Sequence, residues 1–143
     1  MNINDVGFTG TRHGMSAVQK EAFARVLEEA DGDQFHHGDC VGADAEAAAI
    51  AFELGWQIIC HPPLKDEHRA NTTFHRADFA RPQKSHFARN RDIVDESQLL
   101  IACPQYMDPI TKETMGGTAY TVNYARKCGK PVWIVRPDGT IES

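Results

Sequence analysis

The sequence predicts an α/β fold, a doubly wound and mainly parallel sheet of five core strands with helices on both faces. Three observations carry that prediction. Short apolar runs alternate with helical segments of about 10–15 residues along the chain, the pattern of parallel βαβ units. The strand segments, "QLLIACP" (98–104) and "PVWIV" (131–135) among them, are continuous apolar runs rather than alternating ones, as expected of strands covered on both faces. Three glycine-containing turns, at 9–14, 37–44 and 115–118, each lead into a helical segment. A chain of 143 residues is long enough for one well-covered core, so a single domain over 1–143 is expected.

Each element has a local reason. "VGFTG" (6–10) is a short apolar run stopped by Gly10. Ser16 can cap a helix through "SAVQKEAFARVLEEA", where Val18, Phe23, Val26, Leu27 and Ala30 recur at helical spacing. "DGD" (31–33) is a turn and "QFHHG" (34–38) a second strand. A helix from about Ala43 to Leu54 stops at Gly55, a residue that tolerates the left-handed backbone of a helix end. "WQIICH" (56–61) is the third strand, broken by Pro62 and Pro63, and 98–104 and 131–135 are the fourth and fifth. Between those two, "GGTAYTVNYARKCGK" is a helix with glycines at both ends.

Composition excludes some classes of function. Hydrophobic content of 41% and charged content of 24% are ordinary for a globular protein. No apolar run approaches the roughly 20 residues of a membrane span, and "MNINDVGFTG" lacks the basic start and apolar stretch of a secretion signal, so a cytoplasmic protein is expected. The cysteines Cys40, Cys60, Cys103 and Cys128 form no close pair; in a reducing compartment they are free thiols, and the last three read as buried small residues. A net charge of −5 argues against a nucleic-acid partner.

In a Rossmann-like sheet the ligand sits beyond the carboxyl ends of the strands, where the strand order reverses. The glycine turns fall on that edge. Glycine lets the backbone approach a ligand closely, and open N–H groups at a helix start attract phosphate. "HHGDCVGAD" (36–44) concentrates two histidines, two aspartates and a cysteine there. A metal site is disfavoured, because adjacent strand residues such as His36 and His37 point to opposite faces. A Cys40 nucleophile would need a base held against it, which the sequence does not show. A phosphate cradle fits best: Gly38 and Gly42 bend the chain and Asp44 sits on the first helical turn, either as a ribose ligand or as an acid favouring the helix start.

Together "FTGTR", "HGDCVGAD", "ARNRDIVDES" with "LLIACP", and "GGT" leading into "AYTVNYARKCGKPVWIV" resemble the SLOG superfamily, which joins the DNA-processing (SMF/DprA) proteins with the LOG nucleotide hydrolases, and most of all its small YspA-like (cpYpsA-related) members. The resemblance covers nearly the whole chain except 62–84. It implies a Rossmann-like fold binding nucleotides or nucleotide-derived ligands such as ADP-ribose relatives, and homo-oligomers. It places Thr11, Arg12, Gly42, Asp44, Arg89, Asn90, Gly116, Gly117 and Thr118 around the ligand, and the turns themselves add Gly10, Gly38 and Asp39 as candidate ligand-binding residues. LOG hydrolases carry P-G-G-x-G-T-x-x-E; here Met115 stands for the proline, Ala119 and Tyr120 for the second Gly-Thr, and Asn123 for the glutamate. Asparagine cannot exchange a proton at neutral pH, so hydrolysis by that glutamate is not expected. Asp39, Asp44 or Asp92 remain as candidate catalytic carboxylates.

Residues 61–92 hold seven of the 15 Lys and Arg residues, Lys65, Arg69, Arg76, Arg81, Lys84, Arg89 and Arg91, against four acidic ones, a local charge of +3. A connection of roughly 20 residues inside a compact domain is a candidate lid or binding loop, here over about 62–84. Its three readings are a loop pinned by aromatics, a lid closing arginines over phosphates, and a surface for single-stranded nucleic acid. Arg89, Asn90 and Arg91 open the next helix, with Arg89 or Arg91 as a phosphate ligand. Two classes of function follow: a nucleotide-binding sensor or sequestering module without turnover, and a nucleotide hydrolase. Neither a metal nor a cofactor is called for. "PVWIV" reads as a sheet edge, and Tyr120 with Tyr124 as an aromatic stripe in core or interface.

Overall fold

The computed structural model describes residues 3–64, 69–70, 77–105 and 117–143. It is an α/β fold: strands β1 (Asp5–Gly10), β2 (Gln34–His37), β3 (Gln57–Cys60), β4 (Phe79–Ala80), β5 (Leu99–Cys103), β6 (Val132–Val135) and β7 (Ile141–Glu142) form one sheet in the order β4-β3-β2-β1-β5-β6-β7. Every pairing is parallel except β6 with β7. The helices are α1 (Ala17–Ala30), α2 (Ala43–Glu53), α3 (His86–Asp95) and α4 (Gly117–Lys127).

The five expected core strands are all present, and two more extend the sheet. β4 and β7 are two residues long, too short for any apolar run to announce them. β7 corrects one expectation: "PVWIV" is not an edge, because Val135 pairs with Ile141 and Ile134 with Glu142. β4 continues the sheet within the long connection, where Asp78 Oδ2 accepts from the Ile58 N–H at 2.8 Å.

Alternate residues of β5 supply two cores. Leu99, Ile101 and Cys103 join Val6, Phe8, Phe23, Leu27 and Phe35, while Leu100 and Ala102 join Val94, Val122 and Ala125 of the other helical layer. Phe8, Phe23 and Phe35 pack with ring centroids 5.3–5.9 Å apart. α2 lies close to the sheet because its inward residues are Ala43, Ala47, Ala48 and Ala51, each fully buried. Ser16 caps α1 in a reciprocal pair with Gln19, as its sequence implies. Val18, however, is exposed; the buried stripe runs through Gln19, Ala22, Phe23, Val26, Leu27 and Ala30. Gln19 is held inside by donating to the carbonyls of Pro104 and Val135.

All four cysteines are free thiols, with Cys40, Cys60 and Cys103 buried. Cys128 is exposed, contrary to expectation, because it lies past the last inward residue of α4. α3 starts at His86 with Ser85 as its cap, so Arg89 to Arg91 sit in its middle rather than at its opening. Among the described residues no helix is long and apolar enough to cross a membrane.

Candidate functional site

The chain lays β1 to β4 outward in one direction and then returns to place β5 on the other side of β1. The β1/β5 boundary is therefore the switch point at which ligands are expected. A cavity of about 350 Å³ opens there, lined by Thr9 to His13 after β1, Gln105 after β5, Gly38, Cys40 and Asp44 from the β2–α2 turn, His86 to Asn90 of α3 apart from Ala88, and Gly117 and Thr118 at the start of α4. Glycines make the walls possible. A Cβ on Gly10 would stand 2.7 Å from that of Ala43, and one on Gly42 would stand 2.3 Å from the Arg12 carbonyl oxygen. Ala43 N–H donates to Thr11 O at 2.9 Å, which knits the first two turns together.

A buried polar group forms the floor. Arg89 is only 5% exposed. Its Nη1 donates to the Gly38 carbonyl and, at 3.4 Å, to that of His61, while Nη2 lies 2.8 Å from His86 Nδ1 and 3.5 Å from Cys40 Sγ. Its Nε has no hydrogen-bond partner among the described residues. Asp44 accepts from the Cys40 N–H at 3.3 Å, and a Cβ on Gly38 would touch both the Arg89 guanidinium and Asp44 Oδ2. Gly38 is thus the place where the two charged side chains converge. Burial pushes the Asp44 carboxyl up to about 6, with the Arg89 charge opposing it. Burial, then the Asp44 charge, also raises the Cys40 thiol, which keeps it protonated at neutral pH and unsuited to attack.

The Asp44 shift has a consequence for stability. A carboxyl whose folded pKa lies above its unfolded one favours the native state most when protonated, so its contribution is full below 3.8 and is lost as pH rises through about 6. The gap corresponds to at most about 3 kcal/mol. Urea unfolding at pH 5 and pH 7.5 is expected to show about half of this loss in the wild type and a much smaller pH dependence in Asp44→Asn. Equal pH profiles would mean that Asp44 is ionised throughout.

Most of the anticipated residues converge on the cavity: Gly10, Thr11, Arg12, Gly38, Asp44, Arg89, Asn90, Gly117 and Thr118 line it. Gly42 shapes the wall from behind at φ +89°. Gly116 and Met115 lie outside the described residues, as do Lys65 and Arg76 of the long connection. Two carboxylates are placed elsewhere. Asp39 is fully buried, but its Oδ2 accepts from Arg69 Nε at 2.8 Å away from the cavity. Asp92 pairs with Lys84 at 2.6 Å on the surface, so it does not belong to the site. Arg91 is exposed and Asn123, at the LOG glutamate position, is exposed as well. His86 and Phe87, two of the histidines and aromatics of the 61–92 segment, enter the site at the first turn of α3, whereas Gln105 is new: an amide on a loop carries no local signal of this role. Phe87 is 59% exposed on the rim and packs on Tyr120 with centroids 4.4 Å apart.

No protein-family model and no curated protein sequence matches the chain. Solved structures do match its fold. A molybdenum cofactor binding protein from Rippkaea orientalis superposes with a TM-score of 0.68 at 19% identity, over 95% of this chain and 78% of that one. The molybdenum cofactor carrier protein of Chlamydomonas reinhardtii gives 0.62 at 22% identity, over 92% and 75%. DNA processing protein A (DprA) from Streptococcus pneumoniae gives 0.65 at 20% identity, covering 92% of this chain and 50% of its own. The chain shares its fold with these proteins. The sheet carries its cavity at the switch point, and the motifs "FTGTR", "HGDCVGAD" and "GGT" supply its walls as far as they are described.

Proposed function

We propose that the protein binds a nucleotide or nucleotide-derived small molecule, such as an ADP-ribose relative, in this cavity and holds it without turnover. The observation that carries the reading is the convergence, at the switch point, of the glycine turns, the start of α4 and Arg12 on one cavity. The helix start offers open N–H groups and a partial positive charge to a phosphate. Phe87 on the rim offers its ring to a planar base. The exposed Asn123 removes the carboxylate that LOG hydrolases use at that position.

Calorimetry against nucleoside phosphates, ADP-ribose derivatives and the molybdenum cofactor that two of the structural neighbours carry tests the reading. Binding at micromolar affinity or tighter to one of the first two classes is expected. Binding to the molybdenum cofactor alone would replace the ligand class, binding only to oligonucleotides would favour the DNA-processing alternative, and no binding would remove the proposal. Phe87→Ala is expected to weaken binding about 5- to 150-fold if a base stacks there, the range of one base–aromatic contact, with folding unchanged.

One observation keeps hydrolysis of an N-glycosidic or phosphate bond as the second reading. Asp44 lines the cavity with its pKa raised to about 6, a value suited to proton transfer near neutrality. Steady product release from the tightest ligand, abolished in Asp44→Asn, would establish that reading instead. We also propose a homo-oligomer, on the superfamily resemblance; the mass of one chain by light scattering at micromolar concentration would overturn it.

A further inference from the structure

A second polar cluster lies on the opposite face of the sheet strand from His37. His36 and His61 are both 1% exposed, and the parallel register of β2 with β3 brings them together one residue beyond the Cys60 pairing. His36 Nδ1 stands 2.9 Å from His61 Nε2, with the ring planes 36° apart. The other nitrogen of His36, Nε2, is 2.8 Å from Asp5 Oδ1. An ionised carboxylate only accepts, so the network assigns the His36 proton to Nε2 and leaves the Nδ1 lone pair facing His61. The carboxylate of Glu96, at the end of α3, has an oxygen within 4.8 Å of one ring nitrogen of each histidine and closes the third side. Its Oε1 accepts from Arg81, which is itself exposed.

We propose that His36, His61 and Glu96 form a binding site for a divalent transition-metal ion of the zinc type, with Asp5 as the group that orients His36. Two imidazoles and one carboxylate are the protein donors of an open zinc site, with a fourth position left for water. A carboxylate on the far nitrogen of a ligating histidine fixes its tautomer and raises its basicity, and Asp5 stands in that position. Bonds of about 2.0–2.1 Å at a tetrahedral angle separate two nitrogens by roughly 3.4 Å, so the rings need to part by about half an ångström. Without metal, the His61 Nε2–H donates to His36 Nδ1 and holds the rings together. A metal takes the place of that shared proton, and His61 keeps its neutral charge by carrying its proton on Nδ1. Asp5 and Glu96 supply two negative charges for the ion, and Arg81, half in solvent, can turn away from Oε1. The ion would tie β2, β3 and the end of α3 together, away from the cavity at the switch point.

Zinc titration by calorimetry of the full chain, after treatment with a chelator, tests the site. One ion per chain at micromolar affinity or tighter is expected, together with a raised Tm and, for cobalt(II) in place of zinc, visible absorption of a low-coordinate ion. His61→Gln and Glu96→Gln are each expected to weaken binding at least 10-fold, and Asp5→Asn about 10- to 100-fold. Glu96→Gln, at a half-exposed position, keeps the test open should His61→Gln fail to fold. No zinc binding by wild type, or binding undiminished in Glu96→Gln, would overturn the proposal; loss of zinc in the Cys128→Ser variant would assign the ion to the exposed thiol instead.

Discussion

Arg89→Ala is expected to lower folding stability by about 3–5 kcal/mol, the loss found when one partner of a buried charged arrangement is removed. Arg89 is 5% exposed, and its guanidinium is the donor to the Gly38 carbonyl and the positive charge opposing the burial of Asp44. Its removal leaves a buried carbonyl and carboxyl without their cationic partner, and the carboxyl answers by staying protonated to higher pH. Read from the sequence alone, the residue is a surface phosphate ligand whose loss hardly affects folding; its burial reverses that expectation. Urea unfolding at pH 7.5 checks it, with Arg89→Lys as the companion variant that restores the charge without the planar fork. A loss below about 1 kcal/mol would mean that the guanidinium is not part of the fold's support and is available to a ligand. The same variant should also lose ligand affinity, because the Gly38 turn it anchors is a wall of the cavity.

Gly42→Ala is expected to cost about 3 kcal/mol or more. Gly42 adopts φ +89° and ψ −127°, a backbone conformation outside the reach of ordinary L residues, which alone costs on the order of 1–3 kcal/mol. The added methyl would also stand 2.3 Å from the Arg12 carbonyl oxygen and 2.4 Å from its carbon, both backbone atoms that cannot turn aside. The β1–α1 turn must move outward, and the bond from Ala43 N–H to Thr11 O goes with it. Denaturant unfolding measures the first effect and ligand calorimetry the second. Gly55→Ala is the comparison: its φ of +90° is likewise positive, but there is open space around its missing Cβ, so it should cost distinctly less. Equal losses at the two positions would show that conformation, and not the approach of the two turns, sets the requirement for glycine.

What the sequence by itself determined was everything written in local periodicity. The buried strands β1, β2, β3, β5 and β6 are short apolar runs, α1 and α2 have their caps or breakers in place, and glycines mark the turns where helices begin; from these the parallel sheet and its ligand edge follow. His36 and His37 on opposite faces needed only the alternation of a strand. Tertiary structure decided whatever depends on burial and on partners distant in sequence. β4 and β7 exist because a neighbouring strand offers its hydrogen bonds, not because two residues prefer to extend. The three candidate aspartates look alike in the sequence, yet Arg69 takes Asp39, Lys84 takes Asp92, and Asp44 alone of the three lines the cavity. Arg89 belongs to the floor of the site because α3 packs closely on β1, at Gly7, where a Cβ would lie 2.9 Å from Ile93. His61 meets His36 across 25 residues through the β2–β3 register. Side-chain charge is legible one residue at a time; its environment, which sets its pKa and its chemistry, is made by the whole chain.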